Sequence, residues 1–245
     1  MPRPIRAVLF DLGETLVNLD KSWEEVFELE VNSLYQYLNG TGMKIGLREF
    51  TTLFTREFEA ASTKANSQHV ETPMEEIMSG VIVKSGVRTS REGFLQTAIE
   101  EFYRPEIQSW QLDPDTLEVL VNLENKFLLG LISNAKSEWQ VNSILRKFQL
   151  ERFFKIILIS ATLRIRKPRP DLFLKALSSL NITPDKAVFV GNSLEADIAG
   201  ARAVGIRSIH LQKDSSTAES FIDPEATVSS LSEVVKIVND WSNGT

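Results

Sequence analysis

Ala7-Val8-Leu9-Phe10-Asp11-Leu12-Gly13-Glu14-Thr15-Leu16-Val17 decides the reading of this 245-residue chain. Residues 7–10 are an apolar run with no polar face, bounded soon after by a glycine. Such a run reads as a strand buried on both sides, as the central strands of parallel sheets are. It ends on a carboxylate, Asp11. Open α/β sheets keep their ligand crevice beyond the carboxyl ends of the strands, so Asp11 stands where a crevice would open. Gly13 then frees the backbone to turn sharply, and Thr15 follows with a hydroxyl. Taken alone, the stretch also fits a strand that stops at a solvated aspartate. The other strand ends must decide.

Further along, from Leu112, strands and helices alternate regularly. The spacing predicts helices over 115–124, 137–148, 170–180, 194–204 and 231–241. Between them fall apolar strands at 126–133 (KFLLGLIS), 154–160 (FKIILIS), 187–191 (AVFVG) and 206–211, with 226–228 as an edge strand. That order implies βαβ units with right-handed crossovers, a Rossmann-like parallel sheet with helices on both faces.

Between the first strand and this alternation, residues 20–108 carry only helical periodicity. Residues 18–21 read as a turn. A helix over 23–38 follows the N-cap Ser22, and further helices are expected over 47–62 and 73–84. Residues 62–72 read as a polar loop. A fourth helix is expected behind Thr89-Ser90, reaching about Tyr103, with Pro105 as its stop. The organisation expected is a core of residues 1–18 and 110–245, with an all-helical cap of residues 19–109 set above the crevice.

Composition narrows the chemistry. Hydrophobic residues make up 42% and charged residues 24%, an ordinary soluble balance. The net charge of −6 and the lack of a long basic run argue against nucleic-acid or membrane partners. The one basic cluster, Arg164, Arg166, Lys167 and Arg169, suits a small anion. There is no cysteine and only two histidines, His69 and His210, which removes thiolate, disulfide and zinc–thiolate chemistry. No signal peptide or membrane span is visible, so a cytoplasmic location is expected. Oligomeric state is not legible.

Beyond the predicted strands stand Asp11, then Ser133 and Asn134, then Asn192 and Ser193 with Asp197 one helical turn on. Lys167-Pro168 lies between the second and third groups. Each has a bland explanation as a cap, turn or solvated charge. Sheet stability does not require all of them at once. Together they suit phosphoryl transfer through an aspartyl-phosphate. Asp11 is the candidate nucleophile. Ser133 and the amide of Asn134 are candidates to hold phosphoryl oxygens, and Lys167 to neutralise charge. Asp11, the Gly13 carbonyl, Asn192 and, through water, Asp197 are candidate ligands of Mg²⁺.

Four stretches in this order resemble the haloacid dehalogenase superfamily, in its phosphatase-like subgroup with a helical cap: residues 10–16 (FDLGETL), 131–134 (LISN), 166–171 (RKPRPD) and 190–201 (VGNSLEADIAGA). The resemblance covers the whole chain. It implies a Mg²⁺-dependent phosphatase acting on a small phosphorylated metabolite. Two positions depart from the phosphatase pattern. Gly13 stands where those enzymes carry a second Asp as general acid and base, and Asn192 where they carry an Asp. The first departure removes help worth about 10²–10⁴ in rate, and the second weakens the hold on the metal. Glu14 stands one position along as a substitute for the missing acid. Two other functions stay open. One is a weakened family member that binds a phosphorylated ligand or a protein. The other is a 2-haloacid dehalogenase, although those enzymes place an aromatic residue two after the nucleophile.

Overall fold

The computed structural model describes residues 4–88, 91–213 and 221–244. Strands β1 (Ala7–Phe10) and β2 (Val17–Leu19) lead into four helices, α1 (Trp23–Asn39), α2 (Leu47–Gln68), α3 (Met74–Lys84) and α4 (Phe94–Ser109). Then come β3 (Trp110–Leu112), α5 (Thr116–Glu124), β4 (Leu128–Ser133), α6 (Glu138–Lys147), β5 (Ile156–Ile159), α7 (Ser160–Leu163) and α8 (Pro170–Leu180). The chain closes with β6 (Ala187–Gly191), α9 (Ala199–Ala203), β7 (Arg207–Leu211), β8 (Ala226–Val228) and α10 (Leu231–Asn243).

Six strands pair in parallel in the order β5-β4-β1-β6-β7-β8. The chain starts in the middle, winds outward to β5, and returns to wind the other way from β6. β1 therefore flanks the point where the winding reverses, which is where such sheets open a crevice. The expected sheet with helices on both faces is what forms. Side chains alternate across it: Val8 and Phe10 join an apolar layer with Leu120, Ile144 and Val234. Leu9 joins the opposite layer with Phe173, Ala176 and Phe189. These side chains are buried, and each one larger than alanine contributes about 1.5–3 kcal/mol of transfer free energy.

Helices α1–α4 build a separate apolar core around Leu34, Phe50, Phe54, Met78 and Phe102. A capping box starts α1: Ser22 Oγ accepts from the Glu25 amide at 3.2 Å, and Glu25 returns the bond to the Ser22 amide at 3.0 Å. No helix among the described residues is long and apolar enough to cross a membrane.

Several local expectations need correction. The polar stretch 62–68 continues α2, because no breaker interrupts it and Ala65 is fully buried within it. The helix ends at His69, whose φ of 52° is left-handed. Thr89 and Ser90 lie outside the described residues, and Gly93 occupies the N-cap position of α4. Pro105 does not stop α4. A proline leaves the carbonyl four residues back without its helical donor. That carbonyl, of Glu101, accepts instead from Ser33 Oγ of α1 at 2.7 Å. Ser33→Ala should therefore cost about 1 kcal/mol in a denaturant titration, by leaving the carbonyl short of a partner. Asp115 precedes α5 without a side-chain capping bond. Residues 194–198 wind as a π-helical turn before α9.

Residues 18 and 19, read as the start of a turn, belong instead to β2, which pairs antiparallel with β3, so that Leu19 faces Trp110. This ribbon carries the chain into and out of the helical segment. Lys147 of α6 donates to the carbonyls of Ile107 at 2.8 Å and Trp110 at 2.6 Å, fastening the end of α4 to the sheet layer.

Candidate active site

β1, β4 and β6 end on one rim, because Phe10 registers with both Leu131 and Val190. Asp11 follows β1, Ser133 ends β4, and Asn192 follows β6. Asp197 sits in the π-helical turn beyond. Lys167 arrives on the loop between α7 and α8. These residues, with Gly13 and Asn134, line one cavity of about 340 Å³.

The Lys167 ammonium is buried among three oxygens. Asp11 Oδ1 lies at 2.5 Å, Asp197 Oδ1 at 2.7 Å and the Ile132 carbonyl at 2.8 Å. Asn134 fixes the loop that carries the lysine. Its side chain accepts from the Lys167 amide at 2.8 Å and donates to the Lys167 carbonyl at 3.0 Å. The side chain of Asn134 is thus a clamp on Lys167, and a ligand would have to meet its backbone N–H.

Burial raises the Asp11 carboxyl; Lys167 pulls it down and Asp197 pushes it up, and the balance stands at about 6. Burial works against the Lys167 ammonium, yet the charges of Asp11 and Asp197 outweigh it and hold its pKa above the usual value. The lysine is therefore a fixed positive charge between two acids.

Thr15 Oγ1 stands 3.4 Å from Asp11 Oδ2 and 3.4 Å from Asn192 Oδ1, so these two oxygens face a common point. Asp197 Oδ2 accepts from the Ser193 amide at 3.0 Å. The donors that could hold a cation are the Asp11 and Asp197 carboxylates, Asn192 Oδ1 and the Gly13 carbonyl. All are hard oxygens, which suits Mg²⁺ and not a thiophilic metal. Among the described residues no three of His, Cys, Asp and Glu gather as a metal group. An ion held by two acids and neutral oxygens keeps several of its waters.

Gly191 makes room for Asp197. A Cβ on Gly191 would stand 2.7 Å from Asp197 Cβ and closer still to the carboxylate. Gly191→Ala should therefore displace Asp197 and destabilise the fold by about 1–3 kcal/mol, read as a lower thermal midpoint with reduced turnover.

Two expectations about the opening loop are corrected. Gly13 is expected to free the backbone to turn, but the residue that takes the left-handed conformation is Glu14, with φ of 57°. Glu14 is also turned aside, since its Oε1 accepts from the Leu19 amide of β2 at 3.3 Å. What Gly13 provides is space. A Cβ there would meet Trp110 Cη2 at 3.2 Å. The indole is held by Glu106, whose Oε1 accepts from Trp110 Nε1 at 2.9 Å, and by the edge of Trp23 at a centroid distance of 5.6 Å. Arg166 of the basic cluster lines the cavity, and so do Trp23, Trp110, Glu106 and Gln140, none of which was a site candidate from the sequence. The facing alternation of Val17-Asn18-Leu19 and Trp110-Gln111-Leu112 is the signal that would have found Trp110.

Sheet order and rim together define a doubly wound α/β protein with a carboxylate–ammonium–carboxylate site at its switch point. The family model described as haloacid dehalogenase-like hydrolase matches residues 43–211. The chain belongs to that family. The match takes in Ser133, Lys167, Asn192 and Asp197 and begins after Asp11. A glyceraldehyde 3-phosphate phosphatase of Pyrococcus furiosus is 25% identical over 209 residues, 84% of this chain and 80% of that protein. A phosphoserine phosphatase of Thermus thermophilus is 29% identical over 136 residues, 55% of this chain and 54% of that one. Among solved structures, a 2-haloacid dehalogenase from Pseudomonas syringae pv. Tomato DC3000 superposes with a TM-score of 0.73 at 22% identity, covering 97% of this chain and 99% of the other. A HAD phosphatase from Thermococcus onnurineus gives 0.66 at 20% identity, covering 96% and 98%. The structural likenesses speak to the fold.

Proposed function

We propose that the chain is a Mg²⁺-dependent phosphatase acting on a small phosphorylated metabolite, with residues 1–18 and 110–245 as catalytic core and 19–109 as cap. The observation that carries this reading is Lys167 buried between Asp11 and Asp197 at the carboxyl ends of parallel strands. The named phosphatases among its relatives support it.

Asp11 Oδ2, the oxygen not held by Lys167, attacks phosphorus, and the bond from phosphorus to the ester oxygen breaks. Ser133 Oγ and the Asn134 backbone N–H hold the phosphoryl oxygens, and Lys167 balances their charge. Asp11, the Gly13 carbonyl, Asn192 and Asp197 would hold Mg²⁺, which when bound screens the repulsion between carboxylate and phosphate. No side chain at position 13 protonates the departing oxygen, so water must do it, and esters with good leaving groups are favoured. Water then cleaves the aspartyl-phosphate, releasing phosphate and restoring the Asp11 carboxylate.

A phosphoester panel with Mg²⁺ and with chelator tests the reading. Phosphate release that needs Mg²⁺ is expected. Silence across the panel in both conditions would sink it. One observation favours a second reading, a 2-haloacid dehalogenase. The Trp110 indole fills the space over Gly13, where the dehalogenases carry an aromatic side chain in sequence. Metal-independent chloride release from 2-chloropropionate would establish that alternative.

A further inference from the structure

Beside the candidate active site lies a second cavity of about 530 Å³, among α1, α2, α4 and the loops of the core. Trp23, Glu106, Asn134, Ala135, Gln140 and Arg166 line both. A group attached to a phosphoryl at Asp11 therefore extends into it. Phe27, Phe58, Phe102 and Tyr103 supply aromatic faces to its walls.

The charged groups facing this space come from every element around it. Glu24 and Glu30 stand on α1, Glu59 on α2, and Glu106 on α4. Glu71 precedes α3, while Lys136 and Arg166 come from core loops. Both cations are turned to Glu71, at 3.2 Å and 3.6 Å. Among the described residues no cation pairs with Glu30 or Glu106.

Glu106 is held rigidly. Gln140 Nε2 donates to its Oε1 at 2.6 Å and to its Oε2 at 2.7 Å, and Trp110 adds the third bond. Glu30 is 5% exposed and lies beside Glu106. Its Oε1 is buried with no hydrogen-bond partner among the described residues. Burial, with Glu106 beside it, pushes the Glu30 carboxyl well above its ordinary range, and burial raises Glu106 as well. Buried polar atoms in folded proteins have partners, and one without a partner asks for a donor from elsewhere.

We propose that the Glu30–Glu106 pair is the leaving-group subsite and takes a primary ammonium, so that the preferred substrates are phosphomonoesters of amino alcohols. This rests on the phosphatase reading. An ammonium brings three N–H donors to an acidic pair that lacks one, and a positive charge to a pocket in which acids outnumber bases. Aromatic faces favour a cation further. A hydroxyl would satisfy the orphan oxygen but bring no positive charge to a pocket in which acids outnumber bases.

Hydrolysis of phosphoethanolamine is compared with that of its uncharged isostere n-propyl phosphate and of 2-hydroxyethyl phosphate, for wild type and Glu30→Gln. In wild type, kcat/KM for phosphoethanolamine should exceed both by about tenfold or more, mainly through KM, as one charge-assisted contact gives. Glu30→Gln should bring the three substrates within about threefold of one another. The second readout does not need turnover. Propylammonium chloride should raise the thermal midpoint of wild type above that in equimolar sodium chloride, and should fail to do so in Glu30→Gln. Equal rates on all three esters, or preference for the hydroxyl ester, overturn the subsite and leave the phosphatase standing. If no ester is cleaved, the phosphatase reading fails, and the thermal comparison still decides the amine site: stabilisation supports it, and none overturns it.

Discussion

Asp11→Asn is expected to lower Mg²⁺-dependent phosphate release by about 10⁴-fold or more, the scale on which loss of a nucleophile is felt. An amide oxygen does not form the acyl-phosphate bond, and the variant gives up one of the two acids within reach of the proposed ion. The fold should nevertheless persist, because Lys167 keeps Asp197 at 2.7 Å and the Ile132 carbonyl at 2.8 Å. The pH dependence separates lost chemistry from lost structure. In chelator, the Asp11 carboxyl stands at about 6 in the folded chain against 3.8 as a free side chain, raised mainly by burial. Below the lower value both folded and unfolded chains are protonated there, and the full stabilisation is present. As the pH climbs through the folded value, the folded chain must release a proton that the unfolded chain has already lost, and wild type loses stability. The amide at this position does not titrate. Denaturant midpoints of the two proteins should therefore drift apart in favour of the variant between about pH 4 and pH 6, and run parallel above. A variant that was inactive because it misfolded would be less stable throughout and would show no such drift.

Much of this site can be read from the sequence because it is built from strand ends. An apolar run such as 187–191 marks a strand, and the residue after it lies on the rim whatever else happens. Asp11, Ser133 and Asn192 come together for that reason. Lys167 is reached less directly, since only Asn134, gripping its backbone from another loop, places it between two acids. The elements that were hidden depend on partners far along the chain. α4 continues past Pro105 because Ser33, 68 residues earlier than Glu101, supplies the missing donor. β2 and β3 have three residues each, and their pairing joins positions 17 and 112, beyond any local window. Glu30 and Glu106 look like helix-surface glutamates by spacing, and only the packing of α1 against α4 buries them. Gly13 is the sharpest case. Its sequence context suggests freedom to turn, whereas the chain uses it to admit an indole.

That indole governs the outcome of Gly13→Asp. The substitution restores the acid–base group that the phosphatase pattern places there, and should raise kcat on alkyl phosphates by about 10²-fold. The gain should be smaller on p-nitrophenyl phosphate, whose leaving group departs without a proton. The backbone permits the change, because φ at Gly13 lies outside the left-handed region. The space does not quite permit it. The new Cβ meets Trp110 Cη2 at 3.2 Å, so the ring must yield by a few tenths of an ångström. Trp110 is 3% exposed, bonded to Glu106 at 2.9 Å, and paired through its backbone with Leu19, so it has little freedom to do so. Combining Gly13→Asp with Trp110→Phe removes the opposing atom and should release the full gain, at the cost of the hydrogen bond to Glu106. If the single variant is slow and the double variant fast, packing of the ribbon is what holds this active site below ordinary phosphatase rates. Should neither exceed wild type on alkyl esters, protonation of the leaving group does not limit turnover, and the rate must be set by the weaker metal hold that Asn192 provides. Titrating Mg²⁺ against both variants distinguishes the cases, because a metal-limited enzyme rises with Mg²⁺ concentration and an acid-limited one saturates early.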